Sequence, residues 1–342
     1  MRTDETTLLG AAAPTPAAPR RGLPTWLGLV LRLAATIGLM AWALRGVEWH
    51  KLVDLVSRID WRWWVAGLAT GVVVQVIAGI RWAALARPIG FPYSAGLFVW
   101  RFFEGVFFSL CLPTSIGGDV VKAYRLADST HGRLLAGCTV LADRLTGLAA
   151  LGVLAGATII ARELRLGPAA TMAVGVGLLL AAIAAFWLVV GSLDRLLTLF
   201  PEPHRARQFI SQLLPYQMRP NLMTRAIGWS LLVQMGGAIS VAFIARAIGV
   251  KLPLSIWFAV VPLVALAMVL PISIGGVGVR EGGLAMLLAP SGIPSEQAVA
   301  IGLLWFLCTI ICGLIGGGLF LLDRNPQHAA ARGPLPADQV AV

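Results

Sequence analysis

Two short runs combine a helix-breaking proline, paired glycines and a cation. They are Leu112-Pro-Thr-Ser-Ile-Gly-Gly-Asp-Val-Val-Lys122 and Leu270-Pro-Ile-Ser-Ile-Gly-Gly-Val-Gly-Val-Arg280, the second followed by Glu281. The copies match at Leu112/Leu270, Pro113/Pro271, Ser115/Ser273, Gly117/Gly275 and Gly118/Gly276. Proline breaks the helical hydrogen-bond ladder, and glycine lets backbone approach a ligand. A half-helix restarting after each glycine pair, at about Asp119 and Val277, presents free N–H groups and positive partial charge. Such a terminus suits an anion, and phosphate is its natural guest. Lys122 and Arg280 sit in those first turns, where a cation opposes the helix dipole unless an anion occupies the site. Asp119 offsets part of this in the first copy. The plainer reading is that the breaks only end helices and the cations snorkel to headgroups.

More charge lies inside apolar runs: Arg32, Arg81, Arg101, Glu104, Asp143 and Arg144. Each costs roughly 2.5–3.5 kcal/mol at the centre of a membrane helix, so such groups face an interior and pair. Arg101 and Glu104 are three apart and share a helix face, which fits an internal ion pair as well as a ligand role. Asp143 and Arg144 point about 100° apart on a helix, so they address different partners: Lys122, Glu281 or a headgroup. Arg32 and Arg81 either snorkel, pair or touch substrate. Candidate binding residues are therefore Lys122, Arg125, Arg144 and Arg280 for phosphate. Asp119, Asp143, Glu104 and Glu281 balance charge or meet an amino or sugar group, beside Arg101. Pro113, Gly117, Gly118, Pro271, Gly275 and Gly276 are the helix breaks.

Enzyme signatures are poor. His50, His131, His204 and His328 fall in expected loops or tails, with no metalloprotease spacing. Gly276-Val-Gly278 begins like a dinucleotide fingerprint, but Glu281 stands where its next glycine belongs. Cys111, Cys138, Cys308 and Cys312 form no CxxC. No cofactor and no metal are expected, and no ATP-binding motif is present.

The surrounding composition is that of a membrane protein. Hydrophobic residues make up 58% of the chain, charged residues 13%, and mean hydropathy is +0.83, against about 25% charged in soluble domains. The net charge of +11 reflects loop cations retained on the cytoplasmic side rather than a nucleic-acid partner. Residues 1–22 and 323–342 read as disordered polar tails. Between them, 23–322 read as one transmembrane domain, with the first motif over 112–126 and the second over 270–284. Apolar runs over 23–44, 63–86, 133–160, 168–191, 225–248 and 296–322 read as crossings. Runs over 93–112 and 253–270 lead into the motifs. Residues 46–60 read as an amphipathic interfacial helix with Trp61, Trp63 and Trp64 at headgroup level. Residues 192–224 read as an interfacial loop with a short surface helix.

Two topologies compete: eight full crossings, or six crossings plus two re-entrant broken-helix hairpins. Leaving aside the four cations inside helices, six crossings place fourteen Lys and Arg on the side of the termini against nine on the other. Eight crossings reverse the balance. The bias favours hairpins and cytoplasmic termini. Three crossings then separate the hairpins, which puts them on opposite faces as an inverted repeat. That is a pointer to a transporter's substrate site.

The motifs carry a resemblance. Leu112-Pro-x-Ser-x-Gly-Gly-Asp-x-x-Lys-x-Tyr-Arg125, Asp143-Arg144-x-x-Gly147 and Pro271-x-Ser-x-Gly-Gly-x-Gly-x-Arg-Glu281 resemble the flippase-like family, also called the lysylphosphatidylglycerol synthase transmembrane family. The resemblance spans roughly residues 25–325. It implies a multi-pass inner- or plasma-membrane protein that moves a lipid between leaflets. In its best-understood members a membrane half of this kind flips an aminoacylated phospholipid that a separate soluble domain makes. Other relatives are linked to polyprenyl-phosphate sugars or glycolipid assembly. No soluble transferase domain follows in this sequence, so the synthase activity is not expected. The family often has Arg where Lys122 stands and Glu where Asp143 stands. Charge is kept, but bidentate phosphate recognition by Arg is lost at Lys122.

The expectation is an all-α polytopic lipid flippase or transporter for a lipid with an anionic, phosphate-bearing headgroup, and not an enzyme. The alternatives are an intramembrane transferase acting on lipid-linked sugars, with Asp119 or Glu281 as acid or base, and an accessory partner of glycolipid-assembly or lipid-synthesis enzymes.

Overall fold

The computed structural model describes residues 25–45, 47–112, 117–127, 132–164, 167–198, 207, 210–217, 219–270 and 272–322. Pro113, Pro271 and both expected tails lie outside these residues. Every regular element described is helical. In chain order they are α1 (Thr25–Ala43), α2 (Trp49–Ser57), α3 (Trp61–Ala86), α4 (Ala95–Cys111), α5 (Gly117–Leu126), α6 (Arg133–Glu163) and α7 (Pro168–Gly191). They continue with α8 (Leu193–Thr198), α9 (Leu214–Gln217), α10 (Pro220–Ala247), α11 (Leu254–Val269), α12 (Val279–Leu288) and α13 (Ser295–Leu322). By length and composition, α3, α6, α10 and α13 are apolar and long enough to cross a bilayer. The apolar stretches described in α1, α7 and α11 are shorter.

Helices α3 and α10 form the most extensive pair. They approach closely because Gly67 has no side chain: a Cβ there would meet Ile244 and the Ser240 carbonyl. Ser240 Oγ donates to the Gly67 carbonyl at 2.7 Å, satisfying a hydroxyl that would be costly in an apolar interior. The pair runs antiparallel. Trp64 packs in one apolar core with Val241, Ile244 and Ala245, and Trp82 packs in a second core with Ala226. At 1.5 Å per residue, these two ends of α3 are about 27 Å apart.

Each core holds one broken segment. In the second core α5 folds back along α4. A Cβ on Gly118 would strike the Gly105 carbonyl and Ser109 Oγ, and one on Gly105 would lie 2.7 Å from the Lys122 side chain. In the first core α12 folds back along α11, with Gly276 against Met268 and Gly283 against Val264. Both motifs thus form helical hairpins. Their tips approach α13 from opposite ends. On α4, Phe103 meets Gly316 and Leu110 meets Gly313, so that tip points down α13. Helix α12 connects to the start of α13 and places Glu281 against Gly302, so its tip points up.

Four expectations need correction. The first half-helix starts at Gly117 rather than near Asp119, so Gly117 and Gly118 form its first turn instead of breaking the helix. The second half-helix starts at Val279 rather than near Val277, because Gly275, Gly276 and Gly278 hold φ of 63°, 73° and 83°, a left-handed backbone that only glycine adopts readily. The stretch 192–224 is not wholly interfacial: Tyr216 is buried in the second core and donates to the Leu85 carbonyl at 3.2 Å. His50 lies on α2 rather than in a loop, and the other three histidines fall outside the described residues.

The contact of α13 with the first hairpin yields a test. A Cβ at Gly316 would collide with the Phe103 backbone, whereas one at Gly318 meets nothing within 4 Å. Gly316→Ala should cost about 1–3 kcal/mol through overpacking. Gly318→Ala, at an exposed helical position, should be neutral or gain up to about 1 kcal/mol. Thermal unfolding of the detergent-solubilised chain measures both, and equal midpoints would refute the close approach.

Candidate functional site

The polar interior is assembled from α3, α4, α5, α6 and α10. Helix α5 begins directly after the first break, which places Asp119 in its first turn. One turn later Lys122 lies on the same face, its Nζ 2.8 Å from Asp119 Oδ1. From α6, Arg144 grips the same carboxylate with both arms of its fork, Nε to Oδ2 at 2.7 Å and Nη2 to Oδ1 at 2.9 Å. Asp119 is therefore shared by two cations. Lys122 is buried, with its ammonium 4.6 Å from the Phe102 ring centre and 5.7 Å from that of Trp82. Arg144 keeps 53% of its side chain exposed.

Glu104 on α4 is shared in the same way. Arg101 Nη1 donates to both its oxygens at 2.9 and 3.0 Å. Arg125 from α5 donates at 3.1 and 3.3 Å, and Trp100 Nε1 adds a donor at 3.1 Å. Glu104 is buried, and Arg125 is 21% exposed. A third pair closes the cluster toward α10. Arg81 on α3 donates Nε to Asp143 Oδ1 at 2.8 Å and Nη1 to Ser230 Oγ at 2.8 Å. All three residues are buried. Trp82 Nε1 donates to Thr139 Oγ1 at 2.9 Å, which fixes the face of α6 that carries Asp143.

Arg81, Arg101, Lys122, Arg125 and Arg144 thus confront three carboxylates, Glu104, Asp119 and Asp143. The N-terminus of α5 adds positive partial charge. Of these cations Arg125 and Arg144 are partly exposed, and they are the ones an anion could reach.

The second motif is built differently. Arg280 Nε and Nη2 both donate to Glu281 Oε1, at 2.9 and 2.7 Å. Glu281 Oε2 accepts the Gly278 N–H at 2.7 Å, capping the first turn of α12. The guanidinium lies 4.6 Å from the Phe306 ring centre. Both side chains are fully buried. Helix α1 covers the hairpin: Thr36 Oγ1 accepts the Ile274 N–H at 2.9 Å, and Gly278 packs on Leu39 and Met40.

The structure brings Lys122, Arg125, Arg144, Asp119, Asp143, Arg101 and Glu104 into one region, with Gly117 and Gly118 buried at its floor. Arg280 and Glu281 contact α13 near Gly302, about 21 Å along that helix from Gly316, where the first hairpin packs. The partners expected for Asp143 and Arg144, namely Lys122, Glu281 or a headgroup, are not the ones the structure gives: Asp143 pairs with Arg81 and Arg144 with Asp119. Sequence reasoning missed Ser230, Trp100, Phe102 and Thr36 as partners. No local signal marks them, since each is an ordinary residue of an apolar helix. Among the described residues no three His, Cys, Asp or Glu side chains gather to hold a metal ion.

Comparison with known proteins agrees with the motifs. No curated protein matches the chain. A family profile described as Lysylphosphatidylglycerol synthase TM region matches residues 29–317, which contain α3 to α12 entire and both hairpins. With its apolar helices and a match over most of its length, the chain is a membrane protein that belongs to the lysylphosphatidylglycerol synthase transmembrane-region family.

Proposed function

We propose that this protein is a transporter that moves a lipid with an anionic, phosphate-bearing headgroup between the leaflets of the cell membrane, both termini being cytoplasmic. The observation that carries the reading is the sharing of Asp119 between a buried Lys122 and a half-exposed Arg144. A carboxylate held by two cations at a helix N-terminus is a stand-in for an anionic guest. A headgroup phosphate reaching Arg144 can take over part of that pairing without leaving a buried charge unmatched. Arg125 offers the second accessible contact.

In this reading the two hairpins are re-entrant and enter from opposite faces, as halves of an inverted repeat. Their opposed tips along α13 support it. The first motif is open to a ligand while the second is sealed by the Arg280–Glu281 pair, as one state of an alternating-access cycle requires. Transport is favoured over chemistry because Glu104, Asp119, Asp143 and Glu281 are each held by cations, which disfavours a proton-transfer role.

Two measurements test this. In proteoliposomes carrying a labelled phospholipid, Lys122→Ala with Arg144→Ala should slow leaflet exchange at least tenfold, since each lost charge-assisted contact is worth about 1.5–3 kcal/mol. Exchange at the wild-type rate would sink the proposal. The second measurement separates site from frame. Asp143→Asn removes the charge opposite fully buried Arg81 and should cost about 3–5 kcal/mol of stability. Arg144→Ala, breaking a half-exposed pair, should cost about 1 kcal/mol or less yet slow transport roughly tenfold. The reverse ranking of the two melting temperatures would show that Arg144 is part of the frame.

A further inference from the structure

Helix α2 buries Leu52 against the bundle while Trp49, Val53 and Val56 remain exposed beside Lys51, Asp54 and Arg58. A helix of this make-up lies in the plane of the membrane interface, and exposed Trp61 at the start of α3 marks the same level. Where the end of α2, the start of α3 and the end of α10 converge there is a cavity of about 480 Å³, within the roughly 300–1,000 Å³ typical of ligand sites. Its walls include Arg58, Asp60, Trp63, Arg246 and Lys251. The Asp60 N–H donates to the Ala247 carbonyl at 2.9 Å and ties the corner together.

The charges in this corner are unevenly matched. Arg58 is paired with Asp54 at 2.8 Å. Asp60 accepts the Arg62 N–H at 3.0 Å and caps α3. Arg246 instead stacks on Trp63, 4.2 Å from the ring centre. Neither Arg246 nor Lys251 has a carboxylate within ion-pair distance among the described residues. Among the described residues two cations outside any ion pair, one oriented by an aromatic face, line a cavity whose two carboxylates, Asp54 and Asp60, are engaged by Arg58 and by the start of α3. An arginine held in a fixed plane presents its fork to phosphate oxygens.

We propose that this corner is a second lipid site, which binds the phosphate of an anionic phospholipid through Arg246 and Lys251. It is separate from the polar cluster of the first hairpin, which lies near Trp82 at the other end of α3. The exposed apolar face of α2 sets the cavity against acyl chains, so the phosphate source is a lipid rather than a dissolved anion.

The test is native mass spectrometry of the full chain released from nanodiscs of phosphatidylglycerol or phosphatidylcholine. The wild type should retain one more phosphatidylglycerol than the Arg246→Ala/Lys251→Ala variant. Apparent affinity for a short-chain phosphatidylglycerol should fall at least tenfold in that variant. Arg246→Lys, which keeps the charge and loses the fork, should bind more weakly than the wild type and more tightly than Arg246→Ala. Lys251→Glu, a change at an exposed side chain that leaves the fold intact, should abolish it. Leaflet exchange should be unaltered in these variants, so failure here is distinguishable from failure of the transport reading. Equal retention by wild type and variants would overturn the proposal. Thermal protection by inorganic phosphate equal to that by phosphatidylglycerol would overturn the assignment to a lipid.

Discussion

The sharing of single carboxylates between two cations is the interaction on which the interior depends. An ionised group inside an apolar bundle is tolerated only when paired and hydrogen-bonded. Glu104 meets that demand with Arg101, Arg125 and Trp100, and Asp119 meets it with Lys122 and Arg144. These two carboxylates tie α4 to α5 and α5 to α6. Asp143 then ties α6 to α3 through Arg81, and Ser230 extends the link to α10. Five helices, α3, α4, α5, α6 and α10, are thus cross-linked through charge and hydrogen bonds.

That network is reachable only because the backbone lets α5 return along α4. Gly105 and Gly118 face one another across the hairpin with no room for a Cβ. A larger residue at either position would push α5 away and leave Lys122 and Arg125 short of their partners. Gly313, Gly316 and Gly317 do the same for α13 against α4. Small residues drive close helix contact inside membranes, where burial of apolar surface gives little advantage over lipid. The electrostatics of the site therefore rest on steric permission granted several residues away.

Much of the fold is legible from sequence, for a physical reason. Apolar length determines a membrane helix: the run 168–191 coincides with α7, and those at 23–44, 63–86 and 296–322 differ from α1, α3 and α13 by two residues at most. The Arg101–Glu104 pair is legible too, because both partners ride on one helix. Pairings between helices are not. Arg81 and Asp143 are 62 residues apart, and Arg81 and Ser230 are 149 apart. Nothing in the local pattern of α3 announces which neighbour its arginine will face. Tyr216 is hidden for the same reason: its polar surroundings describe a surface, and only tertiary contact with Leu85 buries it.

The two motifs share their prolines, glycines and following cation, yet they end in opposite electrostatic states, and the position of one acidic residue accounts for this. In the first copy the acid, Asp119, precedes the cation by one turn. It lies on the same face as Lys122 and still projects toward α6, so Arg144 can join from outside the hairpin. In the second copy a valine, Val277, takes that place, and the acid is Glu281, directly after the cation. Its longer side chain reaches back to cap Gly278 with one oxygen and closes on Arg280 with the other. Arg280 and Glu281 satisfy one another within the tip, Thr36 of α1 accepts the Ile274 N–H, and Phe306 and Gly302 pack against the pair. The two glycine pairs also differ in backbone, helical in the first copy and left-handed in the second. Moving the acid from before the cation to after it lets the first copy share its carboxylate with α6, while the second keeps its ion pair within α12.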